Sequence, residues 1–125
     1  MNVNDIARIA HEVDRSHCES LGDFSNKSWH KSTPERRAVV IAGVRRYMAD
    51  HKDGPQIVHN AWVATMIAQG WVYGEDEDPQ KKTHPCLVPF HSLTPIDKSK
   101  DFIFHAIVVA LMRHHDDYVY LGEDS

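Results

Sequence analysis

The sequence has no uninterrupted apolar stretch near the ~20 residues that a bilayer-spanning helix needs. Its first residues, MNVNDIARIAHEVDR, alternate polar and apolar side chains where a signal peptide would have an apolar core. A cytoplasmic chain is therefore expected. Cysteine is scarce: Cys18 and Cys86 are the two present, too few for a disulfide scaffold, and a reducing compartment would keep both as buried thiols. No CxxC or HExxH occurs. His84 lies near Cys86, and His114, His115, Asp116 and Asp117 are consecutive. Neither group has a zinc-ligand spacing, and consecutive residues on a helix point in different directions. Pro85 separates Cys86 from His84 and no nucleophile elbow is visible. Gly70 and Gly74 enclose three large residues where a phosphate loop would need small ones. No catalytic residue, metal or cofactor is expected. Excess positive charge is missing too: the net charge of -4 argues against a nucleic-acid binder, which would need accumulated Lys and Arg.

What is present fits one globular domain spanning residues 1–125, with a core over about 5–113 and a polar tail at 114–125. A length of 125 residues with 42% hydrophobic and 26% charged content suits a single core and no membrane partner. Ten histidines mean that net charge climbs as pH falls toward ~6.

Periodicity gives about four helices. Ile6, Ile9, Ala10 and Val13 repeat at helical spacing from Asp5 to about Leu21, before Gly22. Loop-forming residues then run to Pro34, with Trp29 as the apolar anchor expected to pin them to the core. Thr33-Pro34-Glu35 reads as a helix entry. Val40, Gly43, Val44 and Tyr47 form its inward stripe, and Arg36, Arg37, Arg45 and Arg46 stay largely solvated. Lys52 to Pro55 breaks it. A third helix, Gln56 to Gln69, is apolar on more than one side, which predicts a central position, and Gly70 ends it. Trp71-Val72-Tyr73 and a proline-rich segment with Leu87, Val88 and Phe90 predict a small β-hairpin or short two-stranded element. A last helix starts near Pro95 or Asp97 and runs to about Arg113. The fold class is α+β, mainly helical.

The densest chemistry lies between residues 59 and 90, where His59, Trp62, Trp71, Tyr73, His84 and Phe90 fall on segments expected to converge. Aromatic rings dominate the cores of small domains, so this cluster can be plain packing. The same rings can also form a pocket that stacks a planar ring, with histidines at its edge and cations such as Lys81, Lys82 and the arginines of the second helix at its rim. Residue types alone permit a nucleotide-like ligand without demanding one.

The order of short motifs here resembles the RyR domain family, the module repeated in ryanodine receptors and found alone in bacteria and phages. The resemblance is carried by H-x-x-W at His59 and Trp62, G-W-x-Y-G at Gly70 to Gly74, and K-x-H-P-C-L-V-P-F from Lys82 to Phe90, with Leu93 and Lys100-Asp101 beyond. Upstream, His11-Glu12, Arg15, Cys18, Leu21-Gly22-Asp23, Trp29 and Gly43-Val44 are similar to the prokaryotic members. Met66 stands where many members have a lysine, and Phe90 where they have a tyrosine. The resemblance implies a non-enzymatic binding domain for a nucleotide-derived molecule of the ADP-ribose or cyclic nucleotide type. It also implies pairing of copies, so a homodimer is expected. Ligand-binding candidates are His59, Trp62, Trp71, Tyr73, His84 and, as phosphate partner, Lys82. A protein-interaction module using the same aromatic surface is the competing expectation.

Overall fold

The structure is a computed structural model that describes residues 1–49 and 54–116. Lys52 and Asp53 of the expected helix break, and the tail beyond Asp116, lie outside the described residues. Helix α1 (Val3–Ser20) opens with a capping box: the Asn2 side chain accepts from the Asp5 N–H, and the Asp5 carboxylate accepts from the Asn2 N–H. Both donors would otherwise be orphans of the first turn. The buried residues Ile6, Ala7, Ala10, His11 and Cys18 share one face, and Gly22 at φ 88° takes the chain out of the helix.

The loop after α1 is fastened by Trp29, on a 3-10 turn (Trp29–Lys31) and only 8% exposed, while Phe24 is left in solvent. The His11 ring meets Trp29 edge-on at 5.5 Å, and the Glu12 carboxylate accepts from the Trp29 N–H at 3.0 Å. That bond, above all, holds the Glu12 carboxyl below its ordinary range. Helix α2 (Pro34–Ala49) starts where the Thr33 hydroxyl accepts from the Arg36 N–H. Its Val44 and Tyr47 join Ile6, Ala7, Trp29 and Val108 in the core cluster. Each large apolar member contributes about 1.5–3 kcal/mol by burial. Val108 comes from the last helix, which is α4 (Pro95–Met112) and whose Thr94 cap accepts from the Asp97 N–H.

Helix α3 (Gln56–Ala68) packs against α2 and α4. It is less central than its all-round apolar sequence predicts: His59 is its one buried residue, and Ile67 is 60% exposed. The cause is the path of the chain beyond it. Gly70, at φ 90°, turns the backbone away, and the segment after this glycine covers one side of α3 without enclosing it.

The β element is two strands of two residues, β1 (Val72–Tyr73) and β2 (Thr83–His84), and they run parallel, pairing Val72 with Thr83 and Tyr73 with His84. A hairpin would be antiparallel. An antiparallel bridge between Asp78 and Thr83 first reverses the chain. Lys82, in a left-handed conformation at φ 55°, then sends residues 83–84 back alongside β1. Gly74 is required there, since a Cβ would lie 2.5 Å from the Thr83 Cβ. Cys18 is buried as expected, but Cys86 is only half-buried.

Candidate ligand-binding cavity

A cavity of about 590 Å³ opens between the helices, with walls from α1, α2, α3, α4 and the β2 segment. A second depression, about 530 Å³, runs along the outer face of α1. That one is lined by residues of a single helix and is open surface. In the inter-helix cavity, α3 supplies His59 and Trp62, one turn apart on the same face, together with Ala61 and Thr65. The His84 ring closes edge-on against Trp62, with centroids 4.9 Å apart and planes at 75°.

Each histidine is held by its own hydrogen bonds. His59 is 4% exposed, and its Nε2 contacts the Val88 carbonyl at 2.6 Å. A carbonyl only accepts, so Nε2 carries the proton. In His84 the assignment comes from the other nitrogen: Nδ1 accepts from the Cys86 N–H at 3.0 Å, which turns Nε2 toward the Glu77 carboxylate at 3.3 Å. Burial lowers the His84 pKa against the pull of Glu77 and Asp97. The Cys86 thiol, pushed up to about 11 by burial and by Asp97, is protonated at neutral pH and therefore a weak nucleophile.

Five carboxylates (Asp14, Asp23, Glu77, Asp97, Asp101) and three cations (Arg36, Arg46, Lys100) line the cavity. The arginines lie on α2 and are exposed, so they edge the opening. Asp101 is deeper, with its side chain 16% exposed, and its Oδ2 lies 4.0 Å from His59 Nδ1. Burial first, then Asp14 and Asp97, raises its pKa to about 7, with Lys100 opposing. Among the described residues, no three His, Cys, Asp or Glu side chains converge as metal ligands would.

Of the six sequence-predicted ligand residues, the fold brings His59, Trp62 and His84 to the cavity. Trp71 stands behind His84, with ring centroids 6.4 Å apart, and is not part of the lining. Tyr73 is 57% exposed on β1. Lys82 gives its ammonium to the Gln69 carbonyl at 2.8 Å, closing the C-terminus of α3. Met66 is half-buried and also outside the lining. Arg36 and Arg46 do form part of the rim, whereas Arg37 is drawn away to the Trp29 and Ser32 carbonyls.

Asp14, Asp97, Lys100 and Asp101 were not singled out as ligand residues in the sequence. The available signal was Asp97, Lys100, Asp101 and Phe104 at i, i+3, i+4 and i+7, which places charge on a helix face that would ordinarily be apolar.

A mainly helical domain with an aromatic and charged cavity between its helices is thus the class that fold and site define. A family model described as RyR domain matches residues 48–114, just over half of the chain. The chain belongs to the RyR domain family. Its match covers α3, the β element and α4, so the α1 and α2 walls of the cavity come from outside the matched region. No helix among the described residues is long and apolar enough to cross a membrane.

Proposed function

We propose that this RyR domain is a non-catalytic binding domain for a nucleotide-derived small molecule of the ADP-ribose or cyclic nucleotide type. The observation that carries the reading is the cavity itself: about 590 Å³, within the size range of small-molecule sites. Trp62 and two histidines fixed by hydrogen bonds stand on one side of it, and Arg36 and Arg46 stand at its mouth. A planar base would stack on Trp62, and its phosphates would meet the α2 arginines, whose forked donors suit phosphate oxygens. The site as proposed comprises His59, Trp62 and His84. Trp71, Tyr73 and Lys82 act at one remove, by backing His84, forming the β1 surface and capping α3. A stand-alone bacterial or phage protein of this kind, acting in the cytosol, would sense or sequester a nucleotide messenger of immune signalling.

A second reading is favoured by Val72 and Tyr73, both more than half exposed on β1. It is a protein-docking surface, whose simplest occupant is a second copy of the chain. Titration calorimetry against adenine nucleotides and cyclic ADP-ribose isomers separates the two. Saturable binding that Trp62→Ala weakens at least ~10-fold, while Tyr73→Ala leaves it intact, is the expected result. A panel without a hit, together with a dimer that Tyr73→Ala dissociates, would replace the first reading by the second.

A further inference from the structure

Because Nε2 of His59 is committed to the Val88 carbonyl, the neutral ring presents a lone pair at Nδ1. Facing that lone pair is another acceptor, the Asp101 carboxyl, at 4.0 Å. That distance is too long for a direct hydrogen bond, and no donor among the described residues hydrogen-bonds Asp101. Asp14 of α1 and Asp97 of α4 lie beside it, the Asp97 carboxylate already accepting from the Thr94 hydroxyl, with Lys100 as the nearby cation. Tyr47 lines the same cavity, 1% exposed, and its hydroxyl has no hydrogen-bond partner among the described residues. Buried polar atoms are matched almost everywhere in folded proteins. Here the His59 Nδ1 lone pair, the Asp101 carboxyl and the Tyr47 hydroxyl, none of them hydrogen-bonded among the described residues, surround one space.

We propose that His59 Nδ1 and the Asp101 carboxylate form a subsite for a vicinal diol, the 2′,3′-hydroxyl pair of a ribose. The inference rests on the nucleotide reading and adds to it which end of the molecule enters first. Two hydroxyls on adjacent carbons bring two donors side by side, one for each acceptor, and neither brings a charge into a space that already holds Lys100. The ribose is thereby anchored between α3 and α4, the base reaches Trp62, and the phosphates are left toward Arg36 and Arg46. Deoxyribose derivatives are discriminated against, because they leave His59 and Asp101 facing each other across an unfilled gap.

Calorimetric titration of AMP and 2′,3′-dideoxy-AMP into the wild type and Asp101→Asn tests this. The wild type is expected to bind AMP at least ~10-fold tighter than the dideoxy compound, the loss expected when two buried polar groups are left without the hydroxyls that meet them. Asp101→Asn, which keeps the shape of the side chain, should reduce the difference to about twofold without weakening the dideoxy compound. Equal wild-type affinity for both compounds overturns the diol subsite and leaves the nucleotide reading standing. A preference that survives in Asp101→Asn also overturns it, by locating the diol elsewhere. No binding of either compound to the wild type overturns the subsite, and a blank across the wider nucleotide panel removes the reading beneath it. The comparison of the two compounds on the wild type needs no variant to fold.

Discussion

Around His11 and around His59 the chain assembles the same parts. Each ring is 4% exposed. Each contacts a carbonyl of a later segment through Nε2, Lys27 at 2.7 Å in one case and Val88 at 2.6 Å in the other. Each lies against a tryptophan, with centroids 5.5 Å and 5.8 Å apart. The N-terminal assembly then closes: Trp29 is buried in the core cluster, its N–H is taken by Glu12, and Arg37 binds its carbonyl. The C-terminal one stays open. Trp62 is half-buried on a cavity wall, and beyond His59 comes a carboxyl that no donor among the described residues meets. A histidine latch and a tryptophan therefore do not by themselves leave a cavity open. What distinguishes the second region is a tryptophan that borders open space and a carboxyl that no donor among the described residues meets.

The largest expected effect separates the two tryptophans. Trp29→Ala should cost about 3–5 kcal/mol in denaturant unfolding, the range for deleting a buried aromatic. Trp62→Ala should cost about 1 kcal/mol, since its ring already borders open space. Equal costs would make Trp62 a core residue and erase the contrast.

Next comes pH. A carboxyl raised from 3.8 to about 7 in the folded state keeps its proton when the unfolded chain has lost it. Its contribution to stability is therefore complete below about pH 4 and disappears as pH rises to about 7. Asp101→Asn removes this loss. The variant should gain on the wild type progressively between about pH 4 and 7, by a few kcal/mol at most, and hold that advantage above about pH 7 in thermal melts. His84 and His105, lowered by burial, work in the opposite direction. They destabilise the fold as pH falls below about 6.5, but equally in both proteins, so they cancel in the difference. An Asn variant less stable than the wild type throughout would mean that Asp101 and His59 are an ion pair, and the open region would then be as self-contained as the closed one.

The smallest effect concerns Lys82. Replacing it by Gly relieves a left-handed residue and deletes one exposed hydrogen bond to Gln69, changes that nearly cancel and leave stability within ~1 kcal/mol. AMP affinity should change less than twofold. A tenfold loss of affinity would restore Lys82 as a phosphate ligand.

The helices were legible because their ends are local chemistry. Thr33-Pro34 and Gly70 mark caps that three or four residues decide, and the burial of Val44 and Tyr47 could be read from periodicity. The parallel course of β1 and β2 was not legible. It depends on Lys82 adopting a conformation that its residue type disfavours, and on a clearance at Gly74 that only the fold reveals. The site divides in the same way. His59 and Trp62 share a turn of one helix, so their joint placement could be read, and motif order brought in His84. Asp14 and Asp101 meet only because α1 packs on α4, and each taken alone looks like an ordinary solvated charge. Trp71, Tyr73 and Lys82 had the right chemistry for a pocket, but the β segment carries them around its outside.

The seam between matched and unmatched sequence runs through the cavity. One wall, with Trp62, His84 and Asp101, belongs to the region that defines the family, and the facing wall, with Asp14, Arg36 and most of α2, does not. The cavity is a jaw with one side inside the family match and the other outside it. In the proposed binding role the stacking ring belongs to the matched side, and the charge that faces it comes from helices that the match does not cover.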